Sequence, residues 1–287
     1  MDTLLITRRH VLELSLGLAA AGCGLSLSRG WATVAPMKNV IRTELARHFA
    51  DNGTEGTFLA YRVDDYALIA SDTERSGQAL LPASTFKIPH SVIALDTGVV
   101  GDPDKDVFKW DGVTRFVPEW NKDHTLRSAI AVSAVWVYQE IARRIGEERM
   151  QHYVDAFDYG NRNIGGGIDR FWLSGDLRID PVQQVDFVDR LRRGVLPASR
   201  RAQDLTRDIL PVTRVGDAVI RAKTGLIGVD DRTRPGEAVA SIGWLVGWVE
   251  NGERQTVFAL NLDIRDGRHT AARMALAQQC LKEIGAL

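Results

Sequence analysis

A chain of 287 residues, 45% hydrophobic and 25% charged, has the composition of a soluble folded protein, with apolar surface for one large domain or two sharing a core. A formal net charge of −1 excludes the basic footprint that nucleic acid or an anionic membrane would select. Six scattered histidines and two cysteines, Cys23 and Cys280, form no ligand-spaced cluster and argue against a metal centre.

The first informative segment is the N-terminus. Arg8 and Arg9 precede an apolar run from about Val11 to Leu27, followed by small residues. This is the export-signal pattern, and the paired arginines point to the twin-arginine route and the periplasm. Gly17, Gly22 and Gly24 leave the run too weakly hydrophobic for a membrane-spanning helix. Gly30-Trp31-Ala32 offers a small-x-small cleavage site, so residues 1–32 are expected to leave and 33–287 to form the mature domain. A lipoprotein anchor through Cys23 is the alternative, against which Ala20 stands as a poor match three positions earlier. Cleavage removes three arginines and two acids, leaving a net −2 and no membrane attachment. Cys280 then has no partner, and no disulfide is expected.

Next, Val40, Ile41, Leu45 and Phe49 recur at helical spacing and end at Asn52-Gly53, a plausible C-cap. TFLAYRV and ALIASD flank Asp64-Asp65-Tyr66 as two strands of a hairpin. From about 85 to 210 the pattern is mostly helical, broken by Gly- and Pro-bearing loops, among them the glycine-rich YGNRNIGGGIDRFWLSG from Tyr159. AVIRAKTG then reads as a strand. AVASIGWLVGWVE and RQTVFALNLDI read as two more, joined at Asn251-Gly252, and a last helix covers roughly 270–285. Strands at both ends of a helical middle predict an α+β protein: an antiparallel β-sheet flanked by terminal helices, with an inserted helical subdomain. The α/β part is expected at about 38–80 and 216–287 and the helical part at about 81–215, with a site in the cleft between them.

The chemistry begins at LPASTFKIPH. Lys87 stands three positions after Ser84 among Phe86, Ile88, Val92, Ile93 and Leu95. Burying an ammonium costs several kcal/mol or forces it to neutralise. A neutral amine on the same helical face can take the serine proton and make a nucleophile. Ser-x-x-Lys alone is weak, arising by chance roughly once in a chain of this size. Lys223-Thr224-Gly225 ends a predicted strand and is rarer, about one chance occurrence in fifteen chains. A strand-borne cation and hydroxyl beside a glycine suit docking of a carboxylate against an exposed backbone edge. Ser133-Ala134-Val135 precedes the helical run WVYQEIARRIG, where Ser133 is either a third site residue or a plain N-cap.

STFK, SAV, YGN (Tyr159 to Asn161) and KTG, in that order, resemble the class D serine β-lactamases, the oxacillinases, over nearly all of the mature chain. FWLSGDLRID from Phe171, GWLVGWVE from Gly243, and ALNLDI followed by Arg273 match as well. A class A enzyme carries Ser-Asp-Asn as its second motif and a deacylating glutamate, neither of which is found here. The resemblance implies that Ser84 is the nucleophile and that Lys87 reacts with carbon dioxide to form a carbamate (N6-carboxylysine), the general base for acylation and deacylation. It implies a carbamate pocket of Phe86, Val135, Trp172 and Leu173, with the Trp172 indole as donor, and no metal or other cofactor. Ser133 is then a proton relay. Lys223, Thr224, Gly225 and Arg273 bind the carboxylate of a small-molecule β-lactam, and the N–H groups of Ser84 and Leu226 form the oxyanion hole. Tyr159 and Asn161 are architectural. Two rivals share much of this pattern: a D,D-peptidase, whose second motif usually has Asn where this chain has Val135, and a β-lactam sensor, which acylates without turnover and hangs from a larger membrane protein.

Overall fold

The computed structural model describes residues 37–228 and 241–287, so the export-signal expectation and Cys23 lie outside the described residues. A seven-stranded sheet runs through the molecule in the order β1-β3-β2-β7-β6-β5-β4. Its strands are β1 (Lys38–Ile41), β2 (Gly56–Arg62), β3 (Ala67–Ala70), β4 (Val212–Val215), β5 (Ala218–Ile227), β6 (Ser241–Asn251) and β7 (Arg254–Ile264). The helices are α1 (Ala46–Asp51), α2 (Lys87–Asp96), α3 (Leu126–Val132), α4 (Val135–Ile145), α5 (Glu147–Ala156), α6 (Pro181–Arg193), α7 (Arg200–Ile209) and α8 (Gly267–Glu283). Single helical turns add to these, and among the described residues no helix is long and apolar enough to cross a membrane.

The sheet has helices on both faces, which explains the near-continuous apolar text of β6 and β7. Alternate residues feed two cores. Leu59, Trp244, Val246, Val257 and Ala259 join the larger core with the helical segment. Phe58, Ala60, Leu245, Phe258 and Leu260 pack in the smaller one with Leu276, Ala277, Cys280 and Leu281 of α8. The α+β architecture is as expected, with the helices α2–α7 inserted between β3 and β4.

Three details differ from expectation. Val40 and Ile41 belong to a strand, and helix starts only at Ala46. Lys38 N donates to Tyr66 O and Arg42 N to Ala70 O, both at 2.8 Å, so backbone pairing with β3 and the β-branched pair override a helical spacing. That pairing is parallel, making the sheet antiparallel except at this edge. At the other edge, β4 falls within the stretch 81–215 read as helical. Its four residues pair with Ala218–Arg221 across Gly216-Asp217, too short a run to register as alternation.

Candidate active site

The turn that carries Ser84 is held from three sides. Ala83 N donates to Trp172 O (3.0 Å), Thr85 Oγ1 to Pro82 O (2.7 Å), and the Trp244 indole to Leu81 O (3.0 Å). Beneath it, Gln184 Nε2 donates to Thr85 Oγ1 at 2.8 Å from α6, a support with no signal in the chain's motifs. Ala83, one residue before Ser84, has φ +47°, a left-handed conformation costing about 1–3 kcal/mol in a non-glycine residue. Ser84 therefore sits half-buried on a 3-10 turn, Ala83–Phe86, that runs directly into α2. Pro89 does not break that helix, because its missing N–H falls in the first turn, where donors have no intrahelical partner.

Lys87 follows one turn later, 0% exposed, with Nζ 2.8 Å from Ser84 Oγ. Burial, and then the charge of Lys223, hold its ammonium well below the usual lysine range, so the amine is driven toward its neutral, basic form. An aromatic cage surrounds this part of α2. Phe86 stacks on Trp172 at 5.7 Å and meets Phe171 edge-on at 5.0 Å, while the Tyr138 ring lies 5.2 Å from Lys87 Nζ. Trp172 is 0% exposed and its Nε1 has no hydrogen-bond partner among the described residues. Of the other expected wall residues, Leu173 packs half-buried against the main core and Val135 opens α4, also half-buried. His90 and Tyr138 belong to the cage and were not singled out by any motif, since a buried aromatic in an apolar helix has no distinguishing pattern.

Ser133 is neither in a helix nor an N-cap. It caps the C-terminus of α3 at φ +60°, with Ala134 leading into α4. The Trp120 indole fixes this corner by donating to Val132 O at 2.9 Å. α4 packs on α2 and carries Tyr138, which ties the Ser133 corner to the Lys87 cage.

The third side is β5. Strand β4 pairs only as far as Arg221, so beyond Ala222 one edge of β5 is left to face the Ser84 turn. Lys223 is buried at 2% exposure and donates to Thr224 O (3.0 Å) and Thr224 Oγ1 (3.2 Å). Burial, aided by Arg273, pushes its pKa down to about 7. Gly225 is required by contact: a Cβ there would lie 3.0 Å from Pro82 O and 3.1 Å from Thr85 Cγ2, prising β5 away from the nucleophile turn. Leu226 is half-buried and pairs with Gly243 of β6. Arg273 reaches from α8 to donate to Gly225 O at 2.6 Å, passing over Gly243, where a Cβ would lie 3.1 Å from its Cδ. Burial lowers the Arg273 pKa to about 10. Lys223 and Arg273 lie close enough for the arginine charge to depress the lysine pKa, and a pair of basic groups held together in this way favours an anionic ligand.

Tyr159 and Asn161 stand behind this region. Asn161 Nδ2 donates to Asp176 O, and its Oδ1 accepts from Arg178 N and Asn163 N, locking the loop that delivers Trp172. The Tyr159 ring meets Phe86 edge-on at 5.5 Å.

Comparisons with known proteins point to one family. The penicillin-binding protein transpeptidase domain family matches residues 50–285. The chain is 42% identical over 236 residues to the β-lactamase OXA-48 of Klebsiella pneumoniae, covering 82% of this chain and 86% of that one. The crystal structure of the class D β-lactamase YbXI from Nostoc superposes with a TM-score of 0.79 at 41% identity, covering 85% of this chain and 99% of that one. That of the class D β-lactamase FUS-1 (OXA-85) from Fusobacterium nucleatum gives 0.80 at 34% identity, covering 86% and 99%. With a serine and a buried lysine in contact at the start of α2, and a lysine-bearing sheet edge against them, the chain belongs to the class D β-lactamases.

Proposed function

We propose that this protein hydrolyses β-lactam antibiotics through an acyl-enzyme on Ser84, with carboxylated Lys87 as the base for both half-reactions. The observation that carries this reading is the fully buried Lys87 Nζ, 2.8 Å from Ser84 Oγ, in a cage whose indole N–H lacks a partner. The pocket fits the modification: a neutral amine has the lone pair to add to the carbon of carbon dioxide, forming the N–C bond and releasing one proton to solvent. The resulting carboxylate supplies an anionic base that an apolar pocket would otherwise penalise, and the buried, unpartnered Trp172 Nε1–H supports a donor role toward it.

In acylation, Lys87 in this form accepts the Ser84 proton while Oγ attacks the lactam carbonyl carbon. The N–H groups of Ser84 and Leu226 hold the oxyanion, and Lys223, Thr224 and Arg273 hold the substrate carboxylate. The C–N bond breaks as the lactam nitrogen takes that proton from Lys87 through Ser133, which restores the base. In deacylation Lys87 takes a proton from water, whose oxygen attacks the ester carbon, and returns it to Ser84 Oγ as the ester C–O bond breaks. Walls from Phe86, Val135 and Leu173 keep the base dry.

Hydrolysis of a chromogenic penicillin by the purified protein is the test, run with and without added bicarbonate. Steady turnover is expected, falling several-fold in degassed buffer and returning when bicarbonate is restored. It should also fall as pH drops through the depressed lysine pKa, where a protonated amine cannot be recharged. One equivalent of acylation without turnover would instead indicate a sensor, and full activity without bicarbonate would remove the carboxylated lysine from the mechanism.

We further infer export through the twin-arginine route, on the strength of Arg8-Arg9 and the weakly apolar run after them. A double Arg8→Lys, Arg9→Lys variant should retain precursor in the cytoplasm. Undiminished periplasmic β-lactamase activity in that strain would refute the route.

A further inference from the structure

Three side-chain nitrogens in the cage beside Lys87 are buried with no partner among the described residues: Trp172 Nε1 and both ring nitrogens of His90. The reading of Lys87 accounts for the indole. It does not account for the imidazole, and a buried histidine with neither nitrogen satisfied is a rarity that calls for a cause. A neutral imidazole carries one N–H and one lone pair, whereas a leucine would fill similar space without either.

His90 is 0% exposed and lies three residues after Lys87, on the same face of α2. Its ring meets Tyr138 and Trp172 edge-on, with centroids 5.2 Å away in each case, and Phe86 at 5.5 Å. Lys87 Nζ stands over the same Tyr138 ring at 5.2 Å. His90 and Lys87 therefore share one aromatic enclosure. The hydroxyls of the adjacent Ser91 and of Tyr138 are already committed: Ser91 Oγ donates to Lys87 O, which leaves Tyr138 to donate to Ser91 Oγ, both at 2.8 Å. Burial and the neighbouring Lys87 push the imidazole pKa down to about 3, so the ring stays neutral and keeps one N–H to give.

We propose that His90 is a positioning residue for carboxylated Lys87: its ring N–H, directly or through one bridging water, is a second donor beside Trp172 that retains the carboxylate in the cage. This rests on the reading of Lys87 as a carboxylated base. It assigns to the structure a donor pair in which each N–H is satisfied only when the lysine is modified.

The test titrates the purified protein with carbon-13 bicarbonate at one fixed pH and follows the Lys87 carboxylate carbon by NMR. His90→Leu should raise the bicarbonate concentration for half-occupancy roughly ten-fold, the cost of one lost charge-assisted hydrogen bond. His90→Asn, which keeps an N–H donor, should stay within about three-fold of wild type. A merely structural histidine would change the unfolding temperature of these variants and leave half-occupancy where it was, which would overturn the proposal. In the wild type, the nitrogen-15 resonances of the His90 ring should shift on bicarbonate addition, a measurement that needs no variant to fold; unmoved resonances with a carboxylated Lys87 would equally overturn it. If wild-type Lys87 takes up no carbon-13, the reading of Lys87 itself fails and this inference with it.

Discussion

Ser84→Ala is expected to lower kcat/KM for a penicillin by at least about four orders of magnitude, because the reaction loses the atom that becomes acylated. Its Oγ is the hydroxyl within 2.8 Å of Lys87 Nζ, and the turn that presents it is held through Ala83, Thr85 and Leu81 rather than through Ser84 itself. The variant should therefore fold, with stability within about 1 kcal/mol of wild type as for other half-buried substitutions. It should bind the antibiotic without covalent capture. Steady-state hydrolysis, intact-protein mass after incubation with substrate, and denaturant unfolding check the three statements. Residual turnover within ten-fold of wild type, or an adduct on the variant, would place the nucleophile elsewhere.

Lys87→Met should have the second largest effect, and in two directions. Methionine keeps the length of the side chain but has no base, so turnover should fall by at least about three orders of magnitude, with deacylation slowed more than acylation and a long-lived adduct on Ser84. Stability should rise. The amine is fully buried and destabilised in its charged form, and replacing such a group by an apolar one of similar volume gains about 1–3 kcal/mol. The pH dependence identifies the cause. The lysine pKa is lower in the folded protein than its ordinary value of 10.5, so the unfolded chain binds more protons and wild-type stability climbs with pH toward that value. The advantage of Lys87→Met should be largest in acid and fade as pH nears 10.5. Unfolding in bicarbonate-free buffer at several pH values measures it. A pH-independent difference, or a loss of stability, would mean that Lys87 is held charged and satisfied in the wild type.

These two experiments separate what lies on the chemistry from what lies beneath it. Ser84, Lys87 and the Lys223-Thr224-Gly225 strand were legible because each is a local pattern, and local patterns are what a one-dimensional reading holds. The incongruity of Lys87 among Phe86, Ile88 and Val92 was itself the signal, since an amine in apolar surroundings implies an altered pKa before any coordinate is known. Gln184 under Thr85 and His90 beside Trp172 were not legible, because their meaning comes from neighbours that are distant in sequence. Ser133 was legible as part of a motif, but its conformation was not. A serine before a helical run reads as an N-cap, and only its left-handed φ of +60° at the end of α3 shows that the chain turns a corner there.

By itself, then, the amino-acid sequence determined the class of the fold and the order of the site motifs: short apolar runs bounded by turn residues near the two ends, and helical apolar spacing in the middle, sort strands from helices without knowledge of neighbours. Tertiary structure alone decided where that order is broken and how the motifs meet. Lys38–Ile41 became a strand because the free edge of β3 offered its backbone groups partners, a non-local gain that outweighs the weak helical preference of four residues. The edge of β5 came to face Ser84 because β4 stops at Val212, opposite Arg221, and because Gly225 and Gly243 let the nucleophile turn and Arg273 approach closely. Such close approaches are set by the excluded volume of atoms from opposite ends of the chain, and packing in three dimensions is where that volume is felt.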